Sequence, residues 1–161
     1  MGNRCVITNK EKTRAIYQHW NGGRDSIESL LRVAKLLGGG FDKLCEISSK
    51  VFDGEEINYE EADNDDLDCL DNGVYIINED LEIIGREGLR YEREQRAHNL
   101  LDMVLFIYLN FRVDDNLEVR KLFDLLEVLK KESQNKKGLL SPDKQTSTHT
   151  LFYLSFWCIL P

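Results

Sequence analysis

At 161 residues, with 42% hydrophobic and 31% charged side chains, the chain has enough apolar material for one domain with a sizeable core, which excludes wholesale disorder. Its formal net charge of -8 argues against a binder of phosphate backbones, whose affinity comes from clustered Lys and Arg. The charge is uneven, because residues 55–80 hold eleven acidic and no basic side chains while residues 1–54 carry nine basic and six acidic ones.

In chain order, residues 4–8 (Arg-Cys-Val-Ile-Thr) and 14–20 (Arg-Ala-Ile-Tyr-Gln-His-Trp) read as strands, with polar residues 9–13 as a hairpin loop between them. Asp25 is expected to cap a helix, with Glu28 as the capping-box partner. Ile27, Leu30, Leu31, Ala34 and Leu37 recur at helical spacing and form its buried stripe, which Gly38-Gly39-Gly40 breaks. A second, shorter helix carries Phe41, Leu44, Cys45, Ser48 and Val51 or Phe52 on one face and ends at Asp53-Gly54.

The acidic stretch from Glu55 to Asp71 reads as a strand fragment and a loop. A second hairpin follows, with strands at 74–78 and 81–86 turning across Glu79-Asp80. A third helix is expected from about Tyr91 to Phe111. Its apolar centre is too short for a membrane span and contains Asp102. A fourth opens at Asp115 with Glu118 as its capping partner and buries Leu122, Phe123, Leu126 and Leu129. The order ββαα-ββ-αα indicates an α+β domain over residues 1–132: a small antiparallel sheet of two hairpins with about four helices on one face. Residues 133–150 read as a flexible linker. Residues 151–161 form an abrupt apolar tail, either a docking peptide, a membrane-surface anchor or a peripheral extension without chemistry.

The stretch from Tyr17 to Ser26 concentrates the chemistry. It sets two aromatics, a His, an Asn, two glycines and an Arg where a strand turns into a helix. Gly22 and Gly23 allow close approach to the backbone. Arg24 and Arg4 are candidate bidentate partners for phosphate or carboxylate. Tyr17, His19 and Trp20 offer stacking faces and a proton-transfer group. Strand alternation places Tyr17 and His19 on one face and Trp20 on the other. The candidate ligand site is therefore Arg4, Tyr17, His19, Asn21, Gly22, Gly23 and Arg24. The same residues also suit a packed corner, with Asn21 bonding in the turn and His19 satisfied by a backbone carbonyl.

Three other features compete. The acidic run offers Asp63, Asp65, Asp66, Asp68 and Asp71 as a surface for a basic protein, although a solvated loop is the plainer reading. It does not fit an EF-hand, since Leu67 stands at its fifth position. An enzymatic alternative, a small hydrolase or transferase, pairs His19 with Cys5 or Asp25, although a central-strand Cys is ordinarily core. The four cysteines (Cys5, Cys45, Cys69, Cys158) and the three His lack zinc-site spacing and suit reduced thiols in a cytoplasm. His98 reads as an exposed helical residue. No signal-peptide core follows Met1, and no motif calls for a cofactor.

The start at 1–8, the segment from Ile16 to Ser26, the blocks Asp66-Leu67-Asp68-Cys69 and Asp71 to Tyr75, and the run Ile83-Ile84-Gly85-Arg86-Glu87 together resemble a family of small phage and prophage proteins. That family pairs a Gly-Asn-Arg start with a Tyr-x-His-Trp-Asn/Asp-Gly turn. The resemblance covers about residues 1–90 and departs at Gly38-Gly39-Gly40, where a longer loop is expected. It implies a phage accessory protein acting by binding in a bacterial host cell, blocking or sequestering a host component, and imports no catalytic residues. The partner is then a host bacterial protein or a small anionic ligand. A structural phage component is the remaining alternative.

Overall fold

The computed structural model describes residues 3–62, 71–88, 98–111 and 116–138. The elements run β1 (Cys5–Asn9), β2 (Ala15–Gln18), α1 (Arg24–Leu36), α2 (Phe41–Phe52), β3 (Glu55–Ile57), the single turn α3 (Tyr59–Ala62), β4 (Val74–Ile77), β5 (Ile83–Glu87), α4 (Leu100–Phe111) and α5 (Asn116–Gly138). The α+β class and both hairpins match the expectation. The sheet is mixed rather than antiparallel, in the order β3-β2-β1-β4-β5. The two hairpins join through their first strands, β1 and β4, which run parallel with Val6 opposite Val74 and Asn9 opposite Ile77. A parallel pair needs a long crossover, and the chain from β2 to α3 supplies it.

Alternation divides the sheet into two faces. Cys5, Ile7, Ile16, Tyr75 and Ile77 point into the main core, where they meet Ile27 and Leu30 of α1, Leu44 and Ile47 of α2, Val104 and Ile107 of α4, and Leu126 of α5. On the opposite face Val6 pairs with Tyr17, which pairs in turn with Glu55, and Val74 pairs with Glu87. Val6, Thr8 and Ala15 there are also fully buried. Lys12 of the β1–β2 loop reaches over this side, sitting 5.1 Å from the Tyr59 ring centroid and donating to Glu87 at 2.7 Å.

Helix boundaries depart from expectation in three places. The N-cap of α1 is Gly23, and Asp25 is the second helical residue. Glu28 pairs with Arg24 one turn back, at 2.6 Å, instead of closing a capping box. α1 stops where expected, with Gly38, Gly39 and Gly40 all at positive φ. α4 begins at Leu100, so His98 precedes it, and residues 89–97 of the expected third helix lie outside the described residues. α5 continues to Gly138, five residues beyond the expected start of the linker at Ser133. It buries Leu122, Leu126 and Leu129 but leaves Phe123 62% exposed, against expectation. The expected cap at Asp115 and the tail at 151–161 lie outside the described residues. No helix among those described is long and apolar enough to cross a membrane.

Candidate functional site

β2 ends at Gln18, and the reason is visible in that side chain. Gln18 is fully buried on the core side of the sheet. Its amide Nε2 donates to the carbonyls of Trp20 at 2.8 Å and Asn21 at 3.0 Å, and its Oε1 accepts from Ser48 Oγ of α2 at 3.0 Å. A buried amide satisfied in this way folds the following residues back into a corner. Asn21 takes the left-handed conformation the corner needs, with φ of 57°.

Gly22 then packs directly on the start of β1. Its N–H donates to the Asn3 carbonyl at 2.7 Å, and its own carbonyl accepts from the buried Tyr75 hydroxyl at 2.9 Å. An added Cβ would lie 2.6 Å from the Asn3 carbonyl oxygen. The Asn3 N–H donates to the His19 carbonyl at 3.2 Å. The glycine thus serves a backbone-to-backbone approach within the fold.

The second hairpin enters the same corner. The Arg86 guanidinium lies over the Tyr75 ring, 3.5 Å from its centroid, and donates from Nε and Nη2 to the Asn72 carbonyl. Asn72 in turn donates from its side chain to Asn3 Oδ1 and from its backbone to the Arg4 carbonyl. Arg4 donates from both backbone N–H and Nε to Asp71, the latter at 2.9 Å. Two blocks of sequence some fifty residues apart, Tyr17–Arg24 and Asp71–Tyr75, therefore meet at one end of the sheet; Tyr75 and Gly22 are 53 positions apart.

The corner faces outward with aromatic rings. Tyr17 and His19 share a hydrogen bond between hydroxyl and Nδ1 at 3.0 Å. The His19 and Trp20 rings meet edge to face with centroids 4.8 Å apart, and Trp20 is 51% exposed. The three side chains form one contiguous row, with Tyr17 half-buried and His19 and Trp20 exposed, contrary to the expectation from strand alternation. The alternation ceases because the strand has already ended at Gln18. His19 bonds to Tyr17 rather than to a backbone carbonyl.

The other candidates fall apart from this row. Arg4 and Asp71, expected in two separate sites, bond to each other. Arg24 turns to Glu28. Cys5 is fully buried opposite Gln18, while His19 is exposed. The carboxylate of Asp25 accepts from the backbone N–H of Ser26 at 2.9 Å and of His98 at 2.5 Å, and the His98 Nδ1 lies 3.4 Å away. Asp25 therefore ties the start of α1 to the entry of α4 through His98, which is exposed as expected but stands before the helix. Asp63, Asp65, Asp66 and Asp68 lie outside the described residues. Burial pushes the Cys45 thiol up to about 12, with the Glu56 carboxylate adding to the effect, so this thiol stays protonated and unreactive. Among the described residues no three His, Cys, Asp or Glu side chains gather as a cation site.

Sequence reasoning missed Gln18, Asn72, Tyr75 and Arg86. Gln18 left a signal, since it occupies an inward position of an alternating strand, where a polar residue needs a buried partner. The other three lie in the motif blocks at 71–75 and 83–87, but nothing local shows their partners, which come from distant parts of the chain. Comparison of the chain with protein families, with curated proteins and with solved structures finds no match to any of them.

Proposed function

We propose that this chain is a non-enzymatic binding protein of the phage accessory type that engages a host bacterial protein through the Tyr17–His19–Trp20 row. One observation carries this reading: a half-exposed Trp is held on a corner whose backbone is fixed from three sides. Tryptophan and tyrosine dominate the energetics of protein interfaces, and a rigid anchor loses little entropy on binding. The polar groups behind the row are spent internally. The Gly22 N–H is taken by Asn3, and Arg4 and Arg24 are each engaged by a carboxylate, which disfavours a small anion as the ligand. A host protein with an apolar pocket for the exposed Trp20 ring suits this row, and the chain's net charge of -8 favours a basic rim around that pocket.

The test is site-specific photo-crosslinking in a bacterial host, with the crosslinker at position 20 and, as a control, at exposed Lys121. A discrete adduct formed only from position 20, and lost in His19→Ala, is the expected result. Equal yields from both positions would refute the reading. Native mass spectrometry of the purified chain beside Arg24→Ala tests the small-anion alternative, which a co-purifying small mass lost in the variant would support.

A further inference from the structure

Three carboxylates stand on the described strands of the sheet: Glu55, Glu56 and Glu87. Glu56 takes Arg14 at 2.7 Å, and Glu87 takes Lys12 at 2.7 Å. Glu55 is the exception. It is exposed and, among the described residues, makes no ion pair or side-chain hydrogen bond. Its position sets it beside the aromatic row: Glu55 pairs in register with Tyr17 across the β2–β3 ladder, so the two side chains share one face. Tyr17 in turn holds His19, whose ring meets that of Trp20. β3 is an edge strand, and Asp53, two residues earlier, is likewise exposed without an ion pair at the carbonyl end of α2, where the helix dipole adds negative potential. We propose, on the basis that the row binds a host protein, that this partner lays an arginine side chain against Tyr17 and His19 with its guanidinium on the Glu55 carboxylate, while Trp20 enters the apolar pocket.

The chemistry of the place selects arginine. A planar guanidinium stacks on an aromatic ring and grips a carboxylate through two parallel N–H groups, whereas a lysine ammonium offers only a compact, strongly hydrated charge. An exposed carboxylate alone contributes little, because water and salt screen it. Docking at the row changes that. A partner that covers the rings also strips water from Glu55, and a carboxylate desolvated without a cation is costly. Glu55 therefore rejects partners that bring an apolar or acidic side chain to this point, and acts on specificity more than on strength.

The experiment has two arms. In the first, NMR of the full chain follows a titration with Nα-acetyl-arginine amide, beside its neutral citrulline analogue. Arginine amide is expected to shift the His19 and Trp20 ring signals saturably, and the citrulline analogue to leave them in place. Glu55→Gln should weaken the arginine response roughly two- to fivefold, the scale of one surface ion pair. Equal responses to the two compounds, no response to either, or indifference to Glu55→Gln would each overturn the proposal. In the second arm, the crosslinker at position 20 is used in the bacterial host. Glu55→Lys should abolish the adduct, while Glu60→Lys, the same charge change at another exposed position, should keep it. An adduct that survives Glu55→Lys, or that both variants lose, overturns the arginine contact while leaving the row as a binding surface. No adduct from the parent chain overturns the row itself, and the contact with it.

Discussion

Replacing Gly22 with Ala adds a single methyl group to the most crowded backbone position of the corner. The new Cβ would stand 2.6 Å from the Asn3 carbonyl oxygen, 2.8 Å from the Arg4 carbonyl carbon and 2.9 Å from the Cys5 Cβ. The first two neighbours are backbone atoms just before β1, held by the Asn3 N–H on the His19 carbonyl and the Asn72 N–H on the Arg4 carbonyl, so they cannot rotate away. Relief requires the turn to move off β1, which stretches the Gly22-to-Asn3 bond of 2.7 Å and the Tyr75-to-Gly22 bond of 2.9 Å. Overpacking costs about 1–3 kcal/mol and each weakened bond up to about 1 kcal/mol more, so the sum is about 2–4 kcal/mol. For a chain of this size that lowers the melting temperature by roughly 5–15 °C. Urea denaturation followed by circular dichroism, with Trp20→Ala alongside, measures it. Trp20→Ala removes a half-exposed ring and should change stability by no more than about 0.5–1 kcal/mol. A Gly22→Ala variant within about 0.5 kcal/mol of the parent would refute the close-packing account of the corner.

Tyr75→Phe removes the hydroxyl that satisfies the Gly22 carbonyl in the buried interior, and should cost about 1–2 kcal/mol in the same denaturation assay without abolishing folding. In a Cys69→Ser, Cys158→Ser background, alkylation at pH 8 should be slow for the native chain and fast in urea, because Cys5 is buried and the Cys45 thiol is pushed up to about 12. Fast native labelling mapped to Cys45 would contradict that environment. Lys12 holds the Glu87 carboxyl below its ordinary value of 4.5. A lowered folded-state value means the ion pair supports the fold above the ordinary carboxylate range and loses that support as pH falls through it. The stability gap between parent and Glu87→Gln should therefore shrink on acidification from pH 6 to pH 3, as followed by thermal melts, and a gap that widens would reverse the assignment.

The elements themselves were legible wherever the signal was local. Ile27, Leu30, Leu31 and Ala34 mark the buried stripe of α1 by spacing alone, and three glycines at positive φ end it where the sequence says. Both hairpins follow from short apolar runs around polar turns. Sequence also singled out Tyr17–Arg24 as the densest collection of functional side chains. Tertiary structure decided what those side chains do. Whether β4 pairs with β1 or with another edge depends on a crossover, and periodicity carries no record of it. Once the pair forms, Tyr75 reaches Gly22, Asp71 takes Arg4, and Gly22 packs against the backbone just before β1. Asp25 looked like a helix cap because the local pattern Asp-x-x-Glu fits one; it is drawn instead to the backbone of His98, seventy-three residues away. A hydrogen-bond donor supplied by a distant segment leaves no trace in local spacing, so chemistry could be located from the sequence while its partners emerged only from the fold.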